Sequence, residues 1–176
     1  MRRVSITART AVDATASDEV EVMLIRISHP DLEEPILVTS DPTTRISIDP
    51  PIYGTKSTWA GAVTPAEQLT YLFTFVSAML PDDLEDQPQA ATVVLEVLDH
   101  DMAAVVRSTN RRATVDMAVV LASTTDLVEA EYLGLALVSA EGDAGEIKLT
   151  ISRDPITSEP WPARRMTRNV MSGLHR

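Results

Sequence analysis

The sequence predicts a mainly β fold, a two-sheet sandwich or a partly closed barrel, and three observations lead there. Apolar runs of strand length recur at short spacing, about seven or eight of them. Clusters of Pro, Gly, Asp and Ser separate the runs, as turns require. Helical patterning is confined to one short stretch at about 101–108 and a weaker one near the N-terminus, so strands must supply most of the core.

Residues 5–16 are rich in Ala, Thr and Arg, which permits a short, weak helix ending at Ser17 and Asp18. From Glu19 the pattern changes: Val20, Val22 and Leu24 alternate with Met23, Ile25 and Ile27. Apolar residues on both faces mark a central strand. His29, Pro30 and Asp31 interrupt it, and residues 35–40 (PILVTS) supply a second run in the manner of a hairpin. A third short strand runs through residues 45–48. Asp49, Pro50, Pro51, Gly54, Ser57, Gly61 and Pro65 then crowd together, so residues 49–67 read as a long loop in which neither helix nor strand persists. Loops of that length are usually functional or mobile.

Leu69, Tyr71, Phe73 and Phe75 alternate with Thr70, Leu72, Thr74 and Val76, predicting one strong strand that ends before Pro81 and the acidic turn Asp82, Asp83, Glu85, Asp86. Residues 91–98 form the next, with Val93, Leu95 and Val97 opposite Val94, Glu96 and Leu98. Asp99 and Asp101 cap the short helix at about 101–108, where a carboxylate accepts the unpaired backbone N–H groups. Residues 114–122 are a strand, and 127–140 with 146–152 form a hairpin around Glu141-Gly142-Asp143-Ala144-Gly145. The β domain thus spans residues 1–152, and residues 153–176 make an extended basic strap.

The length of 176 residues fits one domain with a sizeable core. There is no cysteine, which excludes disulfides, thiolate zinc sites, iron–sulfur clusters and a cysteine nucleophile, and fits folding in a reducing cytoplasm. Lys and Arg number 15 against 26 Asp and Glu, a formal charge of −11, the wrong sign for a chain that binds nucleic acid by neutralising phosphates. The charge is uneven. From Arg153 onward five arginines face Asp154 and Glu159, a net of +3 that leaves −14 for the rest. The N-terminus lacks the apolar stretch of a secretory signal, and the most apolar segments, 69–80 and 115–122, fall short of the roughly 20 residues a membrane span needs. A soluble protein without membrane association is expected.

Candidate sites are few. His29, His100 and His175 lie at no spacing that a histidine metal site commonly uses. His100 between Asp99 and Asp101 resembles a ligand cluster, yet a charged turn before a helix accounts for all three. The acidic run at 82–86 lacks the alternation and glycine of a calcium loop. No Gly-x-Ser-x-Gly, phosphate loop or His-Glu-x-x-His is present. No catalytic residue, metal or cofactor is therefore assigned, and no enzyme activity is expected. The outstanding residues are aromatic and basic. Tyr53 and Trp59 in the expected loop are placed to anchor it to the body or to another subunit. In the strap, Pro160 and Pro162 hold Trp161 in extended chain beside Arg164 and Arg165. Trp and Arg are favoured interface anchors, so the strap packs on its own domain, docks on an adjacent subunit, or does both.

Several stretches resemble a family of long-tailed bacteriophage tail proteins, known as a domain of unknown function, whose genes accompany tail tip and hub components. These are residues 9–36 (RTAVDATASDEVEVMLIRISHPDLEEPI), 80–98 with Asp99-His100-Asp101, 115–122, and the strap Glu159-Pro160-Trp161-Pro162-Ala163-Arg164-Arg165. In that family the position of Trp161 is more often phenylalanine and that of Met166 usually aromatic. The resemblance implies a structural virion protein made in the host bacterial cytoplasm, with the sandwich-plus-helix fold of tail tube and hub rings. Its partners would be copies of itself in a ring and other tail tip, hub and tube proteins. An acidic inner wall would suit a ring through which DNA passes, since like charge keeps the genome from sticking. The alternative is a carbohydrate- or receptor-binding module using Tyr53 and Trp59.

Overall fold

The computed structural model describes residues 4–63, 67–79, 90–96, 112–142 and 146–152. One helix, α1 (Ile6–Asp13), precedes ten strands: β1 (Glu21–Ser28), β2 (Ile36–Thr39), β3 (Thr44–Ser47), β4 (Ile52–Ser57), β5 (Leu69–Phe73), β6 (Phe75–Met79), β7 (Ala90–Glu96), β8 (Thr114–Leu121), β9 (Thr124–Gly142) and β10 (Glu146–Ser152). They form a single sheet in the order β3-β4-β5-β2-β1-β8-β9-β10-β7-β6. The fold is mainly β, as the sequence predicts, but the layers come from one sheet, and that sheet is not closed into a barrel.

α1 begins where the Ser5 hydroxyl accepts the Ala8 N–H at 3.0 Å, an N-cap. It ends at Ala14, whose backbone is extended, so the helix is shorter than the expected 5–16. The expected central strand is β1, paired along its whole length with β8 from Glu21↔Leu121 to Ser28↔Thr114. Its two faces serve two cores. Ile25, with Met23 and Ile27, joins Val115 and Met117 of β8, Val38 of β2, Leu135 of β9, and the inward residues of β7 (Ala91, Val93, Leu95) and β10 (Ile147, Leu149, Ile151). Val22 and Leu24 join Ala118 and Val120 of β8 under Trp59 and Tyr71. Strands on both sides of β8 in the order share the first core, so the sheet bends over onto itself.

The bend lies in β9. Its first part pairs with β8 up to Ala136↔Thr114, and its second part pairs with β10 from Ala136↔Ser152 onward. Against β8 the register slips three times, between Val115 and Met117, Val119 and Val120, and Val120 and Leu121. The first two each leave one extra residue on β9, a bulge that adds bend and twist to the longer strand, and the third leaves three beside the turn into β9. At the first of them Gly134 takes φ 66°, a conformation that side chains disfavour.

Two expectations are corrected. The run at 69–76 is not one strand. β2 pairs with β5 only through Val38↔Leu72 and Thr39↔Phe73, and at its end the Thr39 carbonyl accepts the Thr74 N–H at 3.0 Å. Past Thr74 the chain has left β2 and pairs with β7 at the far end of the sheet as β6. Nor are residues 49–67 a loop without strand. β4 sits between β3 and β5, paired with both, and Gly54 is what allows it, because a Cβ there would overlap the Tyr71 carbonyl oxygen. The glycine and prolines that read as breakers flank or enable a strand. Removal of residues 53–64 would therefore take out a paired strand. The expected helix at about 101–108, its caps Asp99 and Asp101, and the strap at 153–176 lie outside the described residues.

Gly54→Ala should cost about 1–3 kcal/mol, the range of overpacking, since the obstacle is backbone that cannot rotate away. The urea midpoint of the variant against wild type measures it; an unchanged midpoint would mean that β4 and β5 do not approach this closely.

Candidate functional site

The second core is closed by a polar network built around Asp116. Residues 22, 24 and 26 of β1 share a face with residues 116, 118 and 120 of β8, so this apolar face ends in a charge on each strand. Arg26 Nη1 donates to Asp116 Oδ2 at 3.1 Å, with the Asp116 side chain 5% exposed. Asp116 Oδ1 accepts the N–H of Gly134 at 2.8 Å, on the bulge of β9. Gly61, at φ 69°, lies directly on the same carboxylate, where a Cβ would overlap Oδ2.

Trp59 and Tyr71 bind the segment after β4 to this face. Their rings stack at 6.2 Å between centroids, and the Tyr71 hydroxyl donates to the Trp59 carbonyl. The Trp59 indole N–H donates to Glu131 Oε1 on β9 at 3.1 Å. Tyr71 is fully buried, and burial pushes its hydroxyl far above the usual tyrosine range; Arg26 pulls it back down and Asp116 raises it further. Both oxygens of Asp116 and the Tyr71 hydroxyl are engaged in this packing, which makes the network a clasp.

Among the described residues two other carboxylates are buried. Asp41, after β2, accepts from the Thr43 N–H at 3.0 Å and the Thr43 hydroxyl at 2.7 Å, and from the Thr55 hydroxyl, fixing the β2–β3 turn to β4. Glu129 differs. It is the extra residue of the bulge where Val119 faces Ala130 and Val120 faces Val128. Its Oε2 accepts the Ser5 N–H at 2.6 Å, whereas Oε1 is shielded from solvent and has no hydrogen-bond partner among the described residues.

The sheet's two ends contrast. β3 is four residues long, carries a register shift between Arg45 and Ser47, and bears exposed Arg45, whose guanidinium donates to the carbonyls of Ser47 and Ile48 at 3.2 and 3.1 Å. Short length, a bulge and a charge are the usual protections of an edge. β6 (FVSAM) has no charge, proline or glycine, pairs among the described residues on one side only, with β7, and exposes Phe75 at 57% and Met79 at 76%. Val76 and Ala78 point the other way into the first core.

Of the residues singled out from the sequence, Tyr53 stands on β4 opposite Arg45 and is partly exposed, as an outward contact requires. Trp59 is buried in its own chain. It anchors its segment to the body, one of the two roles expected of it. Trp161, Arg164 and Arg165 lie outside the described residues. Sequence reading missed β6, Asp116 and Glu129. Among the described residues no group of three or more His, Asp or Glu is arranged to hold a metal ion.

Asp116→Ala leaves Arg26 without its buried partner and should cost about 3–5 kcal/mol, whereas Arg26→Met with Asp116→Leu should return most of that loss. Urea unfolding of the two variants tests this; equal losses in the single and the double variant would contradict it. Tyr71 makes stability fall at alkaline pH. The unfolded chain loses this proton near pH 10 while the folded chain still holds it, so its contribution is intact below about pH 10 and declines above it. Tyr71→Phe should flatten that decline in denaturation curves between about pH 9 and 11.

No family model matches the chain, and no curated protein matches it either.

Proposed function

We propose that this chain is a structural subunit of a bacteriophage or phage-like tail, in the tip or hub, which works by joining copies of itself and neighbouring tail proteins into a ring, without catalysis. The observation that carries the reading is the outer edge of β6, which no other strand pairs among the described residues. An edge strand whose outer side no described strand pairs, with outward Phe75 and Met79 and no charge of its own, is a ready template for a strand from another chain. Each subunit offers one guarded and one unguarded edge, an asymmetry that suits head-to-tail contacts closing into a ring.

Charge supports the same reading. The acidic body is suited to lining a passage for DNA, and the basic segment at 153–176 is complementary to the acidic surface of a neighbour. The motifs at 9–36 and 159–165 that resemble tail proteins add the location.

Replacing Phe75 and Met79 with Lys should convert the assembled protein to monomer in sedimentation velocity runs, with the melting temperature changed by no more than a few degrees, since both side chains face outward. Wild-type protein that is monomeric at high micromolar concentration, and absent from purified tail particles by mass spectrometry, would overturn the proposal.

A further inference from the structure

The second core is walled by six consecutive strands of the sheet, β4-β5-β2-β1-β8-β9, and the two ends of that wall meet. Ser57 of β4 donates its hydroxyl to the Thr125 carbonyl of β9 at 2.7 Å, and the Thr125 hydroxyl donates to the Lys56 carbonyl at 2.8 Å. One residue on, Asp126 Oδ1 accepts the N–H and the hydroxyl of Thr58 at 2.7 and 3.1 Å. Among the described residues no backbone ladder joins β4 to β9. Hydroxyls and one carboxylate stand where paired strands would exchange N–H and C=O groups. The Thr125 and Asp126 bonds of this seam lie in exposed surroundings, where water competes for each of them.

The opposite corner is built differently. Residues 41–73 carry β3, β4 and β5, which pair in order with one another. Buried Asp41 braces them, accepting from Thr43 and from Thr55 of β4. Among the described residues this unit pairs with the rest of the sheet only through Val38↔Leu72 and Thr39↔Phe73. The chain enters it at Ser40 and leaves it at Thr74, both held at the end of β2: the Ser40 N–H donates to the Met23 carbonyl at 3.1 Å and the Thr74 N–H to the Thr39 carbonyl at 3.0 Å. Entry and exit therefore lie side by side at the Phe73 end of β5. The seam lies at the other end, where Ser57 faces Leu69, ~14 Å away along the strand.

We propose that residues 41–73 are a lid over the second core, hinged where Thr39 pairs with Phe73 and latched by Thr125 and Asp126. A unit tied to the body at one corner and pinned at the other by exposed bonds opens before strands paired along their whole length separate. β1 and β8 are so paired, and the first core behind them stays closed. Opening carries Trp59 and Tyr71 away with the lid and uncovers Ala118 and Val120, which stay on β8. The lid does not depend on the β6 edge or on a tail location.

Thiol labelling of the full chain tests this, and the lack of any native cysteine makes each introduced one the sole reporter. Ala118 and Val115 are fully buried on the same strand, Ala118 toward the second core and Val115 toward the first. Ala118→Cys should react with a soluble thiol reagent roughly tenfold or more faster than Val115→Cys, and with a weaker urea dependence, because lifting the lid exposes less surface than global unfolding. Two further changes separate the openings. Thr125→Val with Asp126→Ala should quicken labelling at position 118 about tenfold, by removing the latch. Ile147→Val, in the first core, should quicken labelling at position 115 several-fold and leave position 118 unchanged, since the open lid keeps that core. Equal rates at the two positions, a shared response to Ile147→Val, or a rate at 118 indifferent to the latch variant overturns the lid. The Trp59 indole N–H, given to Glu131 on β9, repeats the comparison in unmodified protein: its hydrogen exchange should outpace that of the β1–β8 amides and quicken in the latch variant. Exchange no faster than those amides overturns the lid as well.

Discussion

β1 and β8 are apolar on both faces, and neither face can be left to water. Ile25 and Met117 point one way, Leu24 and Val120 the other, all nearly or fully buried. A single flat sheet covers neither side, since a sheet face needs a second layer about 10 Å away. The chain supplies both layers from the same ten strands. Bending at β9 lays β10, β7 and β6 across one face, and the β4–β5 region with Trp59 covers the other. Each fully buried Leu, Ile or Val adds about 1.5–3 kcal/mol, so the doubled central pair is where burial is most concentrated, and the bulges of β9 follow from it.

The second layer cannot be held by apolar contact alone, because the strand-to-strand link between β4 and β5 passes through a segment with little regular structure. Trp59 N–H, Tyr71 O–H and the Arg26–Asp116 pair fasten it instead. A buried ion pair is weak evidence for added stability, since desolvation offsets much of its Coulomb gain. Here its effect is specificity: Asp116 fits only if Gly61 lies against it and Gly134 supplies its N–H. Three segments distant in sequence are thereby brought into one register.

How much of this the sequence discloses depends on whether a signal is local. The Ser5 cap, the doubly apolar β1 and the alternating β7 and β10 are legible because neighbours in sequence define them. β4 is not. Its Gly54 is required by the approach of Tyr71, a contact made across the sheet, so a residue that normally breaks strands here permits one. The break at Thr74 is equally hidden, since Phe73 and Phe75 keep the alternation and even meet edge to face at 5.0 Å; only the end of β2 interrupts the pairing. Trp59 in a Gly- and Pro-rich stretch reads as an exposed anchor, and its partners, Tyr71 and Glu131, are not neighbours in sequence. Glu129 looks like any polar residue of a half-exposed strand until the bulge turns it inward. Bulges leave almost no trace in composition, which is why the candidate sites on β9 escape a reading of residue patterns while the fold class does not.

The carboxylates give the last step. Among the described residues three acids, Asp41, Asp116 and Glu129, are buried, and a buried carboxylate is tolerable when donors surround it. Asp116 has Arg26 and Gly134; Asp41 has Thr43 and Thr55. Their donors come from β strands or from the turns beside them, so the sheet itself satisfies them. Glu129 has, among the described residues, only the Ser5 N–H, from outside the sheet, for one of its two oxygens. The same bulge that bends β9 turns this residue away from the strands able to satisfy it. The curvature that lets one sheet cover two cores therefore leaves one acid, among those described, only half satisfied.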